Sequence, residues 1–173
     1  MDVVSGGWRA YAVSTLPLMS ANDPTGKEAQ HMRSGLTHIQ FNVDAANLAF
    51  YRDLFTFLGW DVLYDDDAPG AVMLGVGGSH GESLWFSGSG ATKTVDNDYD
   101  GVGVNHIAIG AEAQADVDAA AAHLTQAGVE LLFETPRHRS DFAESEDDTY
   151  YQIMFETPDR LLLEFVYSGP KQG

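Results

Sequence analysis

With 173 residues, of which 44% are hydrophobic, the chain is long enough for a folded core and suits one modest domain or one domain of two small halves. Its net charge of −17 disfavours nucleic-acid and anionic-membrane partners, because such a surface repels phosphate groups. The absence of cysteine excludes a disulfide framework, a thiolate metal site and a cysteine nucleophile.

The first part of the chain, residues 1–34, shows no clear hydrophobic period and is interrupted by glycines and prolines. We interpret it as an N-terminal extension and assign it no chemistry. No apolar run reaches the length of a membrane span, and the single Arg9 before a mildly apolar stretch makes a poor signal peptide. We therefore expect a cytoplasmic protein.

A first unit at 35–90 combines strand and helix patterns. Apolar and polar side chains alternate from Thr37 to Val43, which is typical of a strand with one buried face. Apolar residues at spacings of three and four then predict a helix that ends at Gly59. Short apolar runs between turn residues predict three more strands, at 60–64, 71–76 and 83–87.

After a polar linker at 91–101, the same order of elements returns in a second unit at 102–168, followed by a short tail at 169–173. The predicted elements are a strand at 105–109, a helix at 117–127, strands at 129–134, 150–156 and 161–166, and an additional loop at about 137–149. His38 precedes Gly59 by 21 residues, and His106 precedes Gly128 by 22. This spacing indicates an internal duplication, so the predicted fold class is α+β with two βαβββ units.

Three side chains form a predicted metal site: His38, His106 and Glu164. The histidines occupy the same position in the two units, and Glu164 lies between Leu163 and Phe165, so all three face away from apolar neighbours. Two imidazoles and one carboxylate are a facial-triad ligand set, which keeps positions open for substrate or water. The set accommodates one divalent ion, Fe, Mn, Zn or Ni. The alternative is that each histidine is a hydrogen-bonded core residue.

Strand alternation places further side chains on the face of this predicted site. Tyr150 is the candidate catalytic residue, either as a hydrogen-bond donor or in proton transfer. The predicted substrate-binding residues are Gln40, Asn42, Trp85, Gln152 and Met154. The alternative is that Trp85, Tyr150 and Met154 only line an apolar wall, which is the ordinary composition of a pocket.

The segments 36–39 (LTHI), 105–108 (NHIA) and 150–164 (YYQIMFETPDRLLLE) resemble the vicinal oxygen chelate superfamily. That superfamily includes glyoxalase I, extradiol dioxygenases, fosfomycin-resistance transferases and bleomycin-binding proteins. The resemblance implies a cupped, mostly antiparallel sheet and metal-dependent dioxygenase, lyase or isomerase chemistry on a small molecule with vicinal oxygens. It also implies a homodimer, and in some members one site combines residues of two chains.

Two positions depart from the family pattern. Trp85 stands where glyoxalase I relatives have a carboxylate ligand, which favours an open site with three protein ligands. Arg160 stands where a turn glycine is usual, so a positive φ there would strain the backbone. Two other functions stay open. One is metal-free binding of a small molecule or an antibiotic such as bleomycin. The other is fosfomycin-type thiol transfer, for which Arg137 and Arg139 are the nearest cationic side chains.

Overall fold

The computed structural model describes residues 35–66, 72–88 and 97–172. The predicted extension at 1–34 and most of the predicted linker at 91–101 lie outside the described residues. The same is true of residue 71, at the start of a predicted strand, and of the last residue of the predicted tail. Residues from Leu36 onwards belong to one compact unit.

The first half forms a four-stranded sheet with one α-helix on its buried face. Its elements are β1 (His38–Asn42), a 3₁₀ turn (Ala45–Asn47), α1 (Leu48–Phe57), β2 (Asp61–Asp66), β3 (Met73–Gly77) and β4 (Ser83–Ser87). The strand order is β1-β4-β3-β2, in which β1 and β4 are parallel and the other pairs are antiparallel. The side chain of Asp44 accepts a hydrogen bond from the Ala46 amide and so caps the turn before α1.

The second half repeats this topology. Its elements are β5 (Ile107–Gly110), α2 (Gln114–Gln126), β6 (Arg137–His138), β7 (Asp148–Glu156) and β8 (Leu162–Pro170). The strand order β5-β8-β7-β6 and the parallel β5–β8 pair match the first half. The predicted α+β fold of two βαβββ units is therefore confirmed. Neither α-helix in the described ranges is long and apolar enough to cross a membrane.

One predicted strand, 129–134, is wrong. Phe133 and Glu134 both adopt positive φ angles, 57° and 59°, and two consecutive left-handed residues cannot continue a strand. Only Leu131 forms an isolated bridge there, to Phe155. The edge strand is instead β6, inside the segment predicted as a loop. Arg160 has a φ of 58°, as its place in the turn predicted.

The apolar core lies on the helix side of each sheet. In the first half the rings of Tyr51 and Phe86 stack with centroids 4.1 Å apart, and in the second half Val117, Ile153 and Phe155 are buried. Because side chains alternate along a strand, the residues between these core positions project from the opposite faces. Those faces carry the residues predicted to form the site.

Tyr51 connects the two halves. Its hydroxyl donates to Asp159 Oδ2 at 2.8 Å and lies 3.1 Å from Thr157 Oγ1. Burial, and secondarily the Asp159 carboxylate, raises the pKa of this hydroxyl above its ordinary value. The native tyrosine therefore stays protonated at pH values where an unfolded tyrosine ionises, and stability is lost as the pH rises past about 10.

We expect Tyr51→Phe to lower the free energy of unfolding by about 1–3 kcal/mol near neutral pH, because a buried carboxylate interaction is lost. Above about pH 10 the unfolded wild type gains a favourable ionisation that the variant lacks, so the difference between the two proteins should narrow by about 1.4 kcal/mol per pH unit. Urea unfolding of both proteins across this pH range measures the difference. A gap that stays constant through pH 11 would contradict the assignment.

Candidate metal centre

His106 and Glu164 meet on the open face of the second sheet. His106 directly precedes β5, and Ala108 pairs with Glu164 in the parallel β5–β8 register, so strand alternation puts the two side chains on one face. His106 Nε2 lies 3.0 Å from Glu164 Oε2. Two ligands of one divalent ion lie roughly this far apart when each bond is about 2.1 Å and the bonds are near a right angle.

The carboxylate of Glu164 is deeply buried. Its side chain is 4% exposed, and its second oxygen, Oε1, has no hydrogen-bond partner in the part of the chain that the structure describes. A buried carboxylate oxygen without a partner is costly, and a cation is the partner that would offset the cost. This oxygen and the neighbouring imidazole therefore fit a divalent metal ion.

Asn105 determines which nitrogen of His106 faces Glu164. The Asn105 amide nitrogen donates to the Tyr99 carbonyl at 2.7 Å, which directs its oxygen to His106 Nδ1, also at 2.7 Å. Nδ1 must then carry a proton, so in the neutral ring the lone pair of Nε2 points at the lone pairs of Glu164 Oε2. Two acceptors at 3.0 Å repel each other unless a proton or a cation lies between them.

The predicted residues of β7 lie beside this pair. In the β7–β8 register Met154 pairs with Glu164, Gln152 with Val166 and Tyr150 with Ser168, so these side chains share one face. Burial, then the negative charge of Glu164 and a hydrogen bond to its carboxylate, raise the pKa of the Tyr150 hydroxyl. Phe142, from the segment predicted as an additional loop, packs against Tyr150 with ring centroids 5.4 Å apart. Tyr150 therefore keeps its proton near neutral pH.

The other predicted residues lie on the first sheet. His38, Gln40 and Asn42 are exposed along one face of β1, and Gln40 pairs with Trp85 of β4. The Trp85 ring lies over Gly75, where an added Cβ would be 2.8 Å from the ring, and its Nε1 donates to Ser83 Oγ at 3.1 Å. The first sheet thus has a face of polar and aromatic side chains, as the second sheet does around Glu164.

One chain does not bring all three predicted ligands together. In the described ranges no group of three or more histidine, aspartate and glutamate side chains is arranged to hold one metal ion. His106 and Glu164 form a pair, whereas His38 belongs to the other sheet and its Nδ1 contacts only the neighbouring Thr37 hydroxyl, at 3.3 Å. One chain therefore brings together two of the three predicted ligands.

The residue that the sequence interpretation missed is Asn105. The sequence feature that could have identified Asn105 is its position directly before His106, at the start of a strand. From there an amide side chain can reach the adjacent imidazole ring. Adjacent residues on a strand face opposite sides, so alternation alone assigns Asn105 to the wrong face.

Comparisons with known proteins agree with this architecture. A profile of the glyoxalase/bleomycin resistance protein/dioxygenase superfamily matches residues 35–165. A solved structure from Bacillus halodurans with a provisional glyoxalase assignment shares 24% identity, with a TM-score of 0.60, over 76% of this chain and 94% of its own. A glyoxylase/bleomycin resistance protein/dioxygenase domain from Frankia sp. shares 21%, with a TM-score of 0.54, over 79% and 99%.

A third similar structure contains a metal. A mutant of the fosfomycin resistance protein FosX from Listeria monocytogenes, complexed with Mn(II) and 1S,2S-dihydroxypropylphosphonic acid, shares 21% identity, with a TM-score of 0.54. The match covers 79% of this chain and 93% of that one. At these identities the likeness concerns the fold. No curated protein matches the chain in sequence.

Proposed function

Because this chain belongs to the glyoxalase/bleomycin resistance protein/dioxygenase superfamily, we propose that it is a metal-dependent enzyme acting on a small molecule with adjacent oxygen atoms. The reaction is dioxygenation, elimination or isomerisation. The observation that carries the proposal is the contact of His106 with Glu164: Nε2 and Oε2 face each other at 3.0 Å, beside a buried carboxylate oxygen that has no hydrogen-bond partner among the described residues. A divalent cation satisfies all three atoms.

The third ligand in this proposal is His38 of a second copy of the chain. Its support is that His38 is exposed on a face that also presents Gln40 and Asn42, while Leu63 and Tyr64 of the same sheet are 55% and 44% exposed. Large apolar side chains left open beside polar ones are typical of a surface that is covered in an assembly. The functional unit is then a homodimer with two equivalent sites.

A bound divalent ion would act as a Lewis acid on the substrate oxygens. Asn105 fixes the ring of His106 in the tautomer that leaves Nε2 free to coordinate. Tyr150 keeps its proton, so its Oη acts as a hydrogen-bond donor to a substrate oxygen on which negative charge develops, rather than as a base. Gln152 orients the substrate from the chain that supplies Glu164, and Gln40 and Asn42 do so from the second copy that supplies His38. Met154 of the first chain and Trp85 of the second copy form the apolar wall that excludes water.

The test is metal stoichiometry. Chelator-treated protein titrated with Mn²⁺ should bind one ion per chain, and its melting temperature should rise, because a ligand that binds only the native state stabilises it. Asn105→Ala should weaken Mn²⁺ binding by about 10- to 100-fold, the usual cost of removing the partner of a ligating histidine. Asn97→Ala is the matched control, since the Asn97 amide also donates to a backbone carbonyl, that of Arg160, at 2.8 Å.

The competing function is metal-free sequestration of a small molecule or antibiotic. It requires the absence of stoichiometric metal, an unchanged melting temperature after EDTA treatment, and no difference between Asn105→Ala and Asn97→Ala. Those results together would overturn the proposal that the protein is a metal-dependent enzyme.

A further inference from the structure

Across the described residues only two buried side-chain polar atoms lack a hydrogen-bond partner: Glu164 Oε1 and Arg137 Nε. The first belongs to the proposed metal centre. The second has no part in it. A buried guanidinium nitrogen without an acceptor is costly, so its position needs a reason other than stability.

Both atoms belong to the same face of the second sheet. Arg137 pairs with Gln152 across β6 and β7, and Gln152 pairs with Val166 across β7 and β8. Directly opposed residues in antiparallel strands project to one side, so Arg137 lies on the face of Gln152, Val166 and Glu164. One strand, β7, lies between β6 and β8, so the two strands are roughly 10 Å apart across the sheet. A small molecule of several non-hydrogen atoms spans this distance.

A shortage of acidic residues does not explain the free Nε. The chain has 26 aspartates and glutamates against 9 lysines and arginines. Arg139, two residues further, uses them in the ordinary way: its Nε and Nη2 donate to Asp141 at 2.9 and 2.6 Å, and its guanidinium lies 4.4 Å from the centroid of the Phe142 ring. Arg137 is close enough to contribute to the lowered pKa of Asp141, but Arg139 is the main cause of that shift and binds both carboxylate oxygens.

We propose that Arg137 binds an anionic group of the substrate, a carboxylate or a phosphonate-type group, while the substrate's adjacent oxygens lie at His106 and Glu164. This inference rests on the proposed function and narrows its substrate class to small anionic molecules. An arginine fork matches both kinds of oxyanion, and the charge-assisted hydrogen bonds satisfy the nitrogen that the protein leaves without an acceptor. Arg137 is thus a residue that determines specificity.

The test uses chelator-treated, full-length protein, so that it does not depend on the metal. Methylphosphonate and acetate are titrated separately while backbone amide chemical shifts are recorded. At least one probe should bind wild type saturably, with shifts at Gln152 and Arg137, and the tighter probe identifies the kind of oxyanion. Arg137→Met should weaken that binding by about tenfold or more, the contribution of a hydrogen bond to a charged group. Arg52→Met, the matched control, should change it by less than about threefold, since the Arg52 guanidinium belongs to the first half of the chain and is already paired with Asp65.

Equal binding to wild type and Arg137→Met, an equal loss in Arg52→Met, or no saturable binding of either probe to wild type would each overturn the proposal. Arg137→Lys keeps the charge and should retain part of the affinity, which separates oxyanion binding from a fold defect. Mn²⁺ titration of the same samples distinguishes the two levels of inference. If Mn²⁺ binds normally but no anion binds, the proposed anionic substrate class is wrong and the proposed metal site stands. If an anion binds but Mn²⁺ does not, the proposed metalloenzyme function is wrong and the anion site stands.

Discussion

Mixing a His38→Ala chain with a His106→Ala chain should restore about a quarter of the wild-type metal sites, although neither variant binds the metal by itself. In the proposed homodimer each site takes His38 from one chain and His106 with Glu164 from the other. A mixed dimer of the two variants then contains one site with both defects and one site with none. If subunits exchange at random, half of the dimers are mixed and half of their sites are intact.

A matched control uses two variants on the same half of the chain. When His106→Ala is mixed with Glu164→Gln, every site in every dimer lacks either the imidazole or the carboxylate, so no Mn²⁺ binding should return. Both mixtures are unfolded and refolded together to ensure exchange, and bound Mn²⁺ is counted by electron paramagnetic resonance.

Three outcomes would separate the possibilities. Restoration in the first mixture alone supports a site shared by two chains. No restoration, with mixed dimers demonstrated by a mass tag, would mean that one chain builds the site by a rearrangement of its two halves. Full binding by His38→Ala on its own would remove His38 from the ligand set and leave the pair of His106 and Glu164.

The faces of the strands could be predicted from the sequence because alternation is a local property. Leu163 and Phe165 are 3% and 6% exposed and belong to the core, and Glu164 between them points to the other side, as its neighbours required. The same argument placed Tyr150, Gln152 and Met154 beside Glu164, and their pairing across β7 and β8 agrees. The repeated spacing from histidine to glycine predicted the duplication, and the two sheets do have the same strand order.

Features that depend on tertiary structure could not be predicted in this way. Alternation says which side of a sheet a residue takes, but it does not say which sheets face each other. Alternation alone therefore could not predict the separation of His38 from His106. The segment 129–134 is rich in apolar residues, yet the left-handed φ angles of Phe133 and Glu134 end its extended backbone. The partners of single polar atoms, such as Asn105 with His106, follow from distances that no periodicity encodes.

Glu164→Gln should reduce Mn²⁺ affinity by about 100-fold or more and yet leave the metal-free protein at least as stable as wild type. The first effect follows because a neutral amide replaces the anionic ligand of the site. The second follows from the tautomer that Asn105 imposes. When the His106 ring is neutral, the lone pair of Nε2 opposes Glu164 Oε2 at 3.0 Å in the metal-free wild type, whereas the amide nitrogen of a glutamine can donate to that lone pair.

Removal of a buried negative charge adds to this gain, although Arg139 and the Tyr150 hydroxyl interact with that charge. We therefore expect the free energy of unfolding of the metal-free variant to lie between that of wild type and about 1 kcal/mol above it. Saturation with Mn²⁺ should reverse the order, since only wild type gains the stabilisation of a bound ligand, about 2.7 kcal/mol at a hundredfold excess over Kd. Urea unfolding with and without Mn²⁺ measures both differences, with the exposed Glu130→Gln as the control for loss of one negative charge. A metal-free Glu164→Gln protein that is less stable than wild type by more than about 1 kcal/mol would mean that the carboxylate is a structural partner of His106. If the metal-free variant is at least as stable as wild type, the Glu164 carboxylate lowers the stability of the metal-free fold. That result is expected of a residue whose role is to bind a metal ion.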